Sequence, residues 1–118
     1  MENGKSAPRR GVAPDEVSVF CEQVALMLSA GMRLHDGVEA VRDGLPEKSR
    51  DLYRVLSDTV DQTGSLYEGL VAAGGFPDYM VEMTRIGEKT GKLEQVMQNL
   101  SYYYRREGRI RRSIANAV

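Results

Sequence analysis

Glycine cuts this chain at intervals, and between the cuts the apolar residues recur at spacings of three and four. Gly31, Gly44, Gly64, the pair Gly74 and Gly75, and Gly91 each follow such a stripe. Apolar residues three and four apart share one face of an α-helix, whereas a half-buried strand alternates with period two, a pattern this chain nowhere sustains. A glycine just past the last apolar position adopts the left-handed conformation that ends a helix without steric cost. The pattern predicts an all-α fold: a compact bundle of about six antiparallel helices with short glycine-containing links.

The first helix is expected from about Asp15 to Ala30, with Val17, Phe20, Val24, Met27 and Leu28 inward. The second is short, about Leu34 to Asp43, with Leu34, Val38 and Val41 inward, and Gly44 ends it. Pro46 opens a third that runs to Thr63 and buries Leu52, Val55, Leu56 and Val60. Ser65 and Glu68 then spell a capping box, in which the hydroxyl takes the Glu68 N–H and the carboxylate reaches back to Ser65 N–H. The fourth helix ends near Ala73. Pro77 suits the first turn of the fifth, which carries Met80, Met83 and Ile86 as its stripe. The sixth begins near Thr90 to Lys92, turns Leu93, Val96, Met97, Leu100 and Tyr104 inward, and continues toward the C-terminus with a weak point at Gly108. Residues 1–14 hold almost nothing to bury and are expected to be a disordered tail or linker, with the helical domain covering residues 15–118.

Composition narrows the function classes. With 42% hydrophobic and 28% charged residues, the chain buries a core and keeps a charged surface. A formal net charge of −1 argues against binding nucleic acid over the whole domain, which needs a broad basic surface. The lone cysteine, Cys21, forms no internal disulfide and sits beside the apolar stripe of the first helix, as a small buried hydrophobe would. No apolar run reaches the roughly 20 residues of a transmembrane helix, and the start of the chain lacks the apolar core of a secretory signal.

Catalytic chemistry finds no support. The single histidine, His35, reads as a surface residue beside Asp36. Asp58 and Asp61 lie about one turn apart, as do Asp36 and Glu39, a pattern frequent on solvated helices, and no loop gathers the oxygens that a hard cation requires. No phosphate-binding loop of the Walker type is present. No catalytic residue, cofactor or metal is expected, and any use of ATP falls to a partner.

Three stretches carry a more specific signal. They are FCEQVALMLSAGMRLHDGVEAV (Phe20 to Val41), TGSLYEGL (Thr63 to Leu70) followed by Phe76 and Pro77, and MTRIGEKTGKLEQVMQNLSYYYRRE (Met83 to Glu107). In this order and spacing they resemble the F domain of the type II secretion system protein F family, whose relatives include the platform proteins of type IV pili and competence systems. The resemblance covers about Val17 to Val118. One departure is Gly69, where the family often has alanine. Another is that family members usually carry two such domains joined by membrane helices.

The resemblance implies a non-enzymatic scaffold at the cytoplasmic face of the bacterial inner membrane. Its partners would be a hexameric assembly ATPase, other platform components, and pilin or pseudopilin subunits, with a homodimer as a further option and no nucleic acid. The alternative is a soluble helical adaptor or regulatory domain unrelated to secretion.

Within IGEKTGKL, Gly87 admits a close neighbouring helix and Gly91 a tight turn. Thr90 is expected to cap the last helix, Glu88 to sit near that helix's positive end, and Leu93 to face inward. These residues read as a helix–turn–helix joint, with Glu88 and Lys89 also candidates for partner contact. Tyr102, Tyr103 and Tyr104 point three ways around one helix. Tyr104 is best placed for burial, which leaves Tyr102 and Tyr103 as partner-contact candidates. Arg105, Arg106, Arg109, Arg111 and Arg112 read either as a solvated helix terminus, favoured by the C-terminal carbonyls, or as a juxtamembrane basic segment. Ile110, Ile114, Ala115, Ala117 and Val118 then look like an element without a stop, so a membrane helix is expected to follow in the natural protein.

Overall fold

The computed structural model describes residues 11–117. Six α-helices occupy them: α1 (Pro14–Ser29), α2 (Leu34–Arg42), α3 (Arg50–Thr63), α4 (Leu66–Ala73), α5 (Asp78–Thr90) and α6 (Leu93–Ala117), with a 3-10 turn at Glu47–Ser49. No strand occurs among the described residues. The all-α expectation holds, and Gly31, Gly64, Gly74, Gly75 and Gly91 take positive φ; Gly44 does not, since α2 ends at Arg42 with Asp43 in the right-handed region as its C-cap. Gly64 and Gly91 end α3 and α5 at φ of 74° and 72°, the left-handed region that a side chain would strain.

Each helix packs on its sequence neighbour, and α6 closes the ring on α1 along the most extensive seam. Cross-links give the sense of the pairs. Arg112 pairs with Asp15 and Arg105 with Glu22 at 3.4 Å, so α1 and α6 run antiparallel. His35 at the start of α2 meets Asp61 at the end of α3. The bundle therefore has two ends. At the terminal end α1 begins, α6 ends, and the α2–α3 and α4–α5 links turn. At the other, the turn end, lie the links marked by Gly31, Gly64 and Gly91.

The core runs through the ring. Phe20, Tyr53 and Phe76 form an aromatic triad with centroids 5.7–6.1 Å apart; such pairs add about 0.5–1.5 kcal/mol each beyond area burial. Leu56, Leu66, Leu70, Met80 and Met97 fill the middle, each at most 1% exposed. Buried hydroxyls find backbone partners: Ser18 Oγ donates to Ser101 O at 2.9 Å, and Thr84 Oγ1 to Met80 O at 2.8 Å. Tyr53 donates its O–H to Glu16 Oε2 at 2.9 Å.

Several sequence expectations shift. Val55 is 38% exposed, and Tyr53 takes the inward place. At about 100° per residue, Leu52, Tyr53, Leu56 and Val60 form one face that Val55 falls outside, and Glu16 satisfies the Tyr53 hydroxyl. Ile86 is 41% exposed, because Met80, Thr84 and Gly87 form the inward face of α5 instead. Pro77 precedes α5 as its N-cap, while Pro14 is already helical at the start of α1. Ahead of it, Val12 N–H donates to Gly75 O at 2.8 Å, fixing residues of the expected tail against the α4–α5 link. Residues 1–10, the rest of that tail, lie outside the described residues, as does Val118.

Gly69 also changes meaning. A methyl group there would stand 3.0 Å from Leu56 O and 2.9 Å from Val60 Cγ2. The glycine is the close-approach point of α4 on α3, so alanine would push the helices apart despite its better helix propensity.

Candidate functional site

The two most specific sequence stretches, TGSLYEGL and IGEKTGKL, meet at the turn end. The link is Glu88, in the last turn of α5. Its Oε1 accepts from Ser65 Oγ at 2.7 Å, and its Oε2 accepts from the N–H groups of Leu66 and, at 3.4 Å, Tyr67. Those N–H groups belong to the first turn of α4 and have no acceptor within that helix. Ser65 Oγ in turn accepts from Glu68 N–H at 3.1 Å. One half of the expected capping box is present. In the other half Ser65 N–H donates to Thr63 Oγ1 at 3.1 Å rather than to Glu68. Glu88 supplies the carboxylate at this N-terminus, from 22 residues away.

This corrects the expected place of Glu88. Its charge complements the positive end of α4, not that of α6, because the last turn of α5 lies against the start of α4. Thr90 is also corrected. Its hydroxyl donates back to Ile86 O at 2.9 Å and Gly87 O at 3.4 Å, so it stays within α5 and leaves α6 uncapped by it. Gly87 is where α5 meets α6: a methyl there would stand 2.9 Å from Val96 Cγ2 and 3.3 Å from Leu93 Cα. Gly91 makes the turn, closed by Lys92 N–H donating to Gly87 O at 2.8 Å. Leu93, partly buried, joins Leu28 and Leu34 along an open cleft of about 470 Å³ beside Gly64, Gly87 and Gly91. Lys89, the sequence neighbour of Glu88, is exposed.

The tyrosines divide as three directions require. Tyr104 is 5% exposed, and burial pushes its phenol up to about 12. Tyr103 is partly buried between Tyr79 and Tyr104, both at 4.9 Å between centroids. Tyr102 is 55% exposed with the Arg105 guanidinium 5.6 Å over its ring, which leaves it the open member of the pair of contact candidates.

The five arginines divide too. Arg105 and Arg112 tie α6 to α1 through Glu22 and Asp15. Arg106, Arg109 and Arg111 have no ion pair among the described residues. Residues 109–117 are all exposed, so the last turns of α6 project past the bundle.

Elsewhere, Cys21 is fully buried and its thiol is pushed up to about 12 by that burial. His35, one-third exposed, has Glu39 at 3.5 Å and Asp61 at 3.4 Å from its two ring nitrogens. No group of three or more His, Cys, Asp and Glu side chains placed to hold a metal ion occurs among the described residues. No described helix is long and apolar enough to cross a membrane.

The geometry is that of a joint with an open corner, and comparison with known proteins agrees with the three stretches that meet around it. The family model described as "Type II secretion system (T2SS), protein F" matches residues 20–118. The chain is 27% identical over 115 residues to the type II secretion system protein F of Aeromonas hydrophila, covering 93% of this chain and 29% of that protein. It is 30% identical over 102 residues to the protein of that name from Xanthomonas campestris pv. campestris, covering 84% of this chain and 25% of the relative. The chain thus spans less than a third of the length of these curated relatives, and it belongs to the type II secretion system protein F family.

Proposed function

We propose that this chain is a cytoplasmic domain of an inner-membrane platform protein for assembly of a type II secretion pseudopilus or a type IV pilus. It acts as a non-enzymatic scaffold, coupling a cytoplasmic assembly ATPase to pilin or pseudopilin subunits through protein contacts. The observation that carries this reading is the family match across nearly the whole described bundle, together with the Glu88 joint that brings two of the family-like stretches into one corner. A rigid joint keeps the surrounding surface in one shape, and a scaffold that transmits force between partners needs that rigidity.

In this reading Lys89 and Tyr102 are contact residues, Glu88 and Tyr103 hold the corner and the α5–α6 face in shape, and Arg106, Arg109 and Arg111 lie beside the membrane. A homodimer is compatible with the same surfaces. The test is co-purification of the chain with the assembly ATPase and neighbouring platform proteins of its own organism. Capture of the ATPase, weakened by Lys89→Glu or Tyr102→Ala without a change in melting temperature, is the expected result. Failure to capture any secretion component, with a regulatory protein captured instead, would favour the adaptor reading.

A further inference from the structure

The turn end of the bundle is acidic, and the terminal end is close to balance. At the turn end Asp36, Asp58, Asp61, Glu68, Glu88 and Glu94 outnumber Arg33, Lys89 and Lys92. At the terminal end Asp15, Glu16, Asp43, Glu47, Asp51, Asp78 and Glu107 nearly offset the basic residues, but arginines gather there in two separate places. One is the projecting part of α6, where Arg109 and Arg111, with Arg106 just before it, are free of ion pairs among the described residues. The other is at the α2–α3 corner, where Arg42, Arg50 and Arg54 line a cleft of about 280 Å³. Asp43 lines the same cleft, 3.6 Å from Arg42, and Arg54 pairs with Asp51. Arg50 has no ion pair among the described residues, and the exposed Lys48 lies two residues before it, with Glu47 and Asp51 flanking the pair. In the ring of helices the α2–α3 corner lies across from the α5–α6 side.

The projecting part of α6 is also apolar along one line. Val96 and Tyr103 face α5, against Gly87 and Tyr79 respectively. Ile110 continues that line at the same seven-residue spacing, and Ile114 and Ala117 extend it. Helix α5 starts at Asp78, next to Tyr79, so it ends before it could cover them. Ile110 is 48% and Ile114 64% exposed, set between arginines. A helix end with isoleucines among arginines fits the headgroup layer of a bilayer, where apolar groups dip in and guanidinium groups stay at the phosphates. A nucleic-acid backbone would reward the arginines but not the isoleucines.

We propose that the terminal end of the bundle is a two-point docking surface for an anionic phospholipid bilayer. The α6 projection enters the headgroup layer with Ile110 and Ile114, and the Arg42, Arg50 and Arg54 cleft, across the ring, holds a lipid phosphate. Two separated contacts fix the bundle upright and present the acidic turn end away from the membrane. This rests on the membrane-adjacent reading of the α6 arginines and adds the cleft, which the sequence did not single out.

The test is co-sedimentation of the 118-residue chain with vesicles of phosphatidylglycerol and phosphatidylcholine, and with phosphatidylcholine alone. Two triple variants are compared, Arg42→Gln/Arg50→Gln/Arg54→Gln and Arg106→Gln/Arg109→Gln/Arg111→Gln, each checked for unchanged helicity and melting temperature. Binding to the anionic vesicles only is expected. A membrane contribution per basic residue equivalent to about fivefold predicts a loss on the order of a hundredfold for either triple. Ile110→Ser/Ile114→Ser should weaken binding further at high salt, where charge is screened. If the α6 triple loses binding and the cleft triple does not, the cleft assignment falls and the juxtamembrane reading stands. If neither triple matters, both fall. Perturbation of the cleft by inorganic phosphate, with vesicle binding unchanged in the cleft triple, would make it a soluble-anion site and overturn the lipid assignment. Preferential binding of duplex DNA over anionic vesicles would overturn it as well.

Discussion

The turn end and the terminal end of this bundle are made of the same kinds of residue and use them in opposite ways. At the turn end charge is committed: Glu88 accepts from Ser65 and from two N–H groups of α4. At the terminal end Arg109 and Arg111 stand off the bundle, Arg106 is exposed just before them, and Ile110 and Ile114 face outward. Shape is held at the first end, and adhesion is available at the second. Side chains that satisfy buried backbone groups hold a surface in one form, and side chains with no internal partner are free to meet an external one. The two ends should therefore respond differently to the same class of substitution.

The largest contrast should come from aliphatic truncation. Leu66→Ala, at the turn end and fully buried, should cost about 2–5 kcal/mol of stability. Ile114→Ala, at the terminal end, should change stability by less than about 0.5 kcal/mol. Urea unfolding of both variants checks this, and equal losses would mean that the α6 projection is packed in solution.

Carboxylates give the next contrast. Glu88→Gln removes the charge that serves α4 and should cost about 1–3 kcal/mol, whereas Glu94→Gln, one of the exposed residues of the same corner, should be nearly neutral. Faster amide exchange at Leu66 and Tyr67 in the Glu88 variant, and not in the Glu94 variant, would assign the loss to the cap.

Alkaline pH should weaken the core beneath both ends. Burial raises the Cys21 thiol to about 12 from an ordinary value of 9, and raises the Tyr53 phenol as well, reinforced by the Glu16 carboxylate. Below about pH 9 both the folded and unfolded chains hold these protons. Above it the unfolded chain releases them first, so stability falls by up to about 1.4 kcal/mol per pH unit for each group. The urea midpoint should drop between pH 8 and pH 10.5, and Cys21→Val should remove part of that drop.

The smallest contrast is between arginines. Arg112→Gln breaks an exposed pair with Asp15 and should cost about 0.2–1 kcal/mol. Arg109→Gln should cost nothing measurable, since no described residue pairs with it. Thermal melts at low and high salt should show the first difference shrink as screening rises.

The helices were legible because their information is local. Apolar spacing and glycine stops placed all six, and the resemblance carried by Phe20 to Val41, Thr63 to Leu70 and Met83 to Glu107 agrees with the family match. Inward faces were less legible wherever two registers competed. Val55 and Ile86 are apolar in sequence, yet Tyr53 and Gly87 hold the inward places: the first has Glu16 for its hydroxyl, and the second lets α5 approach Val96. The roles of Glu88 and Thr90 were not legible. Both sit near the start of α6 in sequence, and only the folding back of α5 onto α4 decides which helix end receives the carboxylate.

Helices, turns and family are thus written in the order of the residues, because spacing, turn chemistry and local motifs are properties of chain neighbours. The tertiary structure decided which helix Glu88 caps, why Gly69 is glycine, and which arginines remain free of α1. It also gathered carboxylates at the turn end and set arginines at two places on the terminal end. These depend on residues far apart in the chain meeting across a closed ring of helices, and no local pattern encodes such distances.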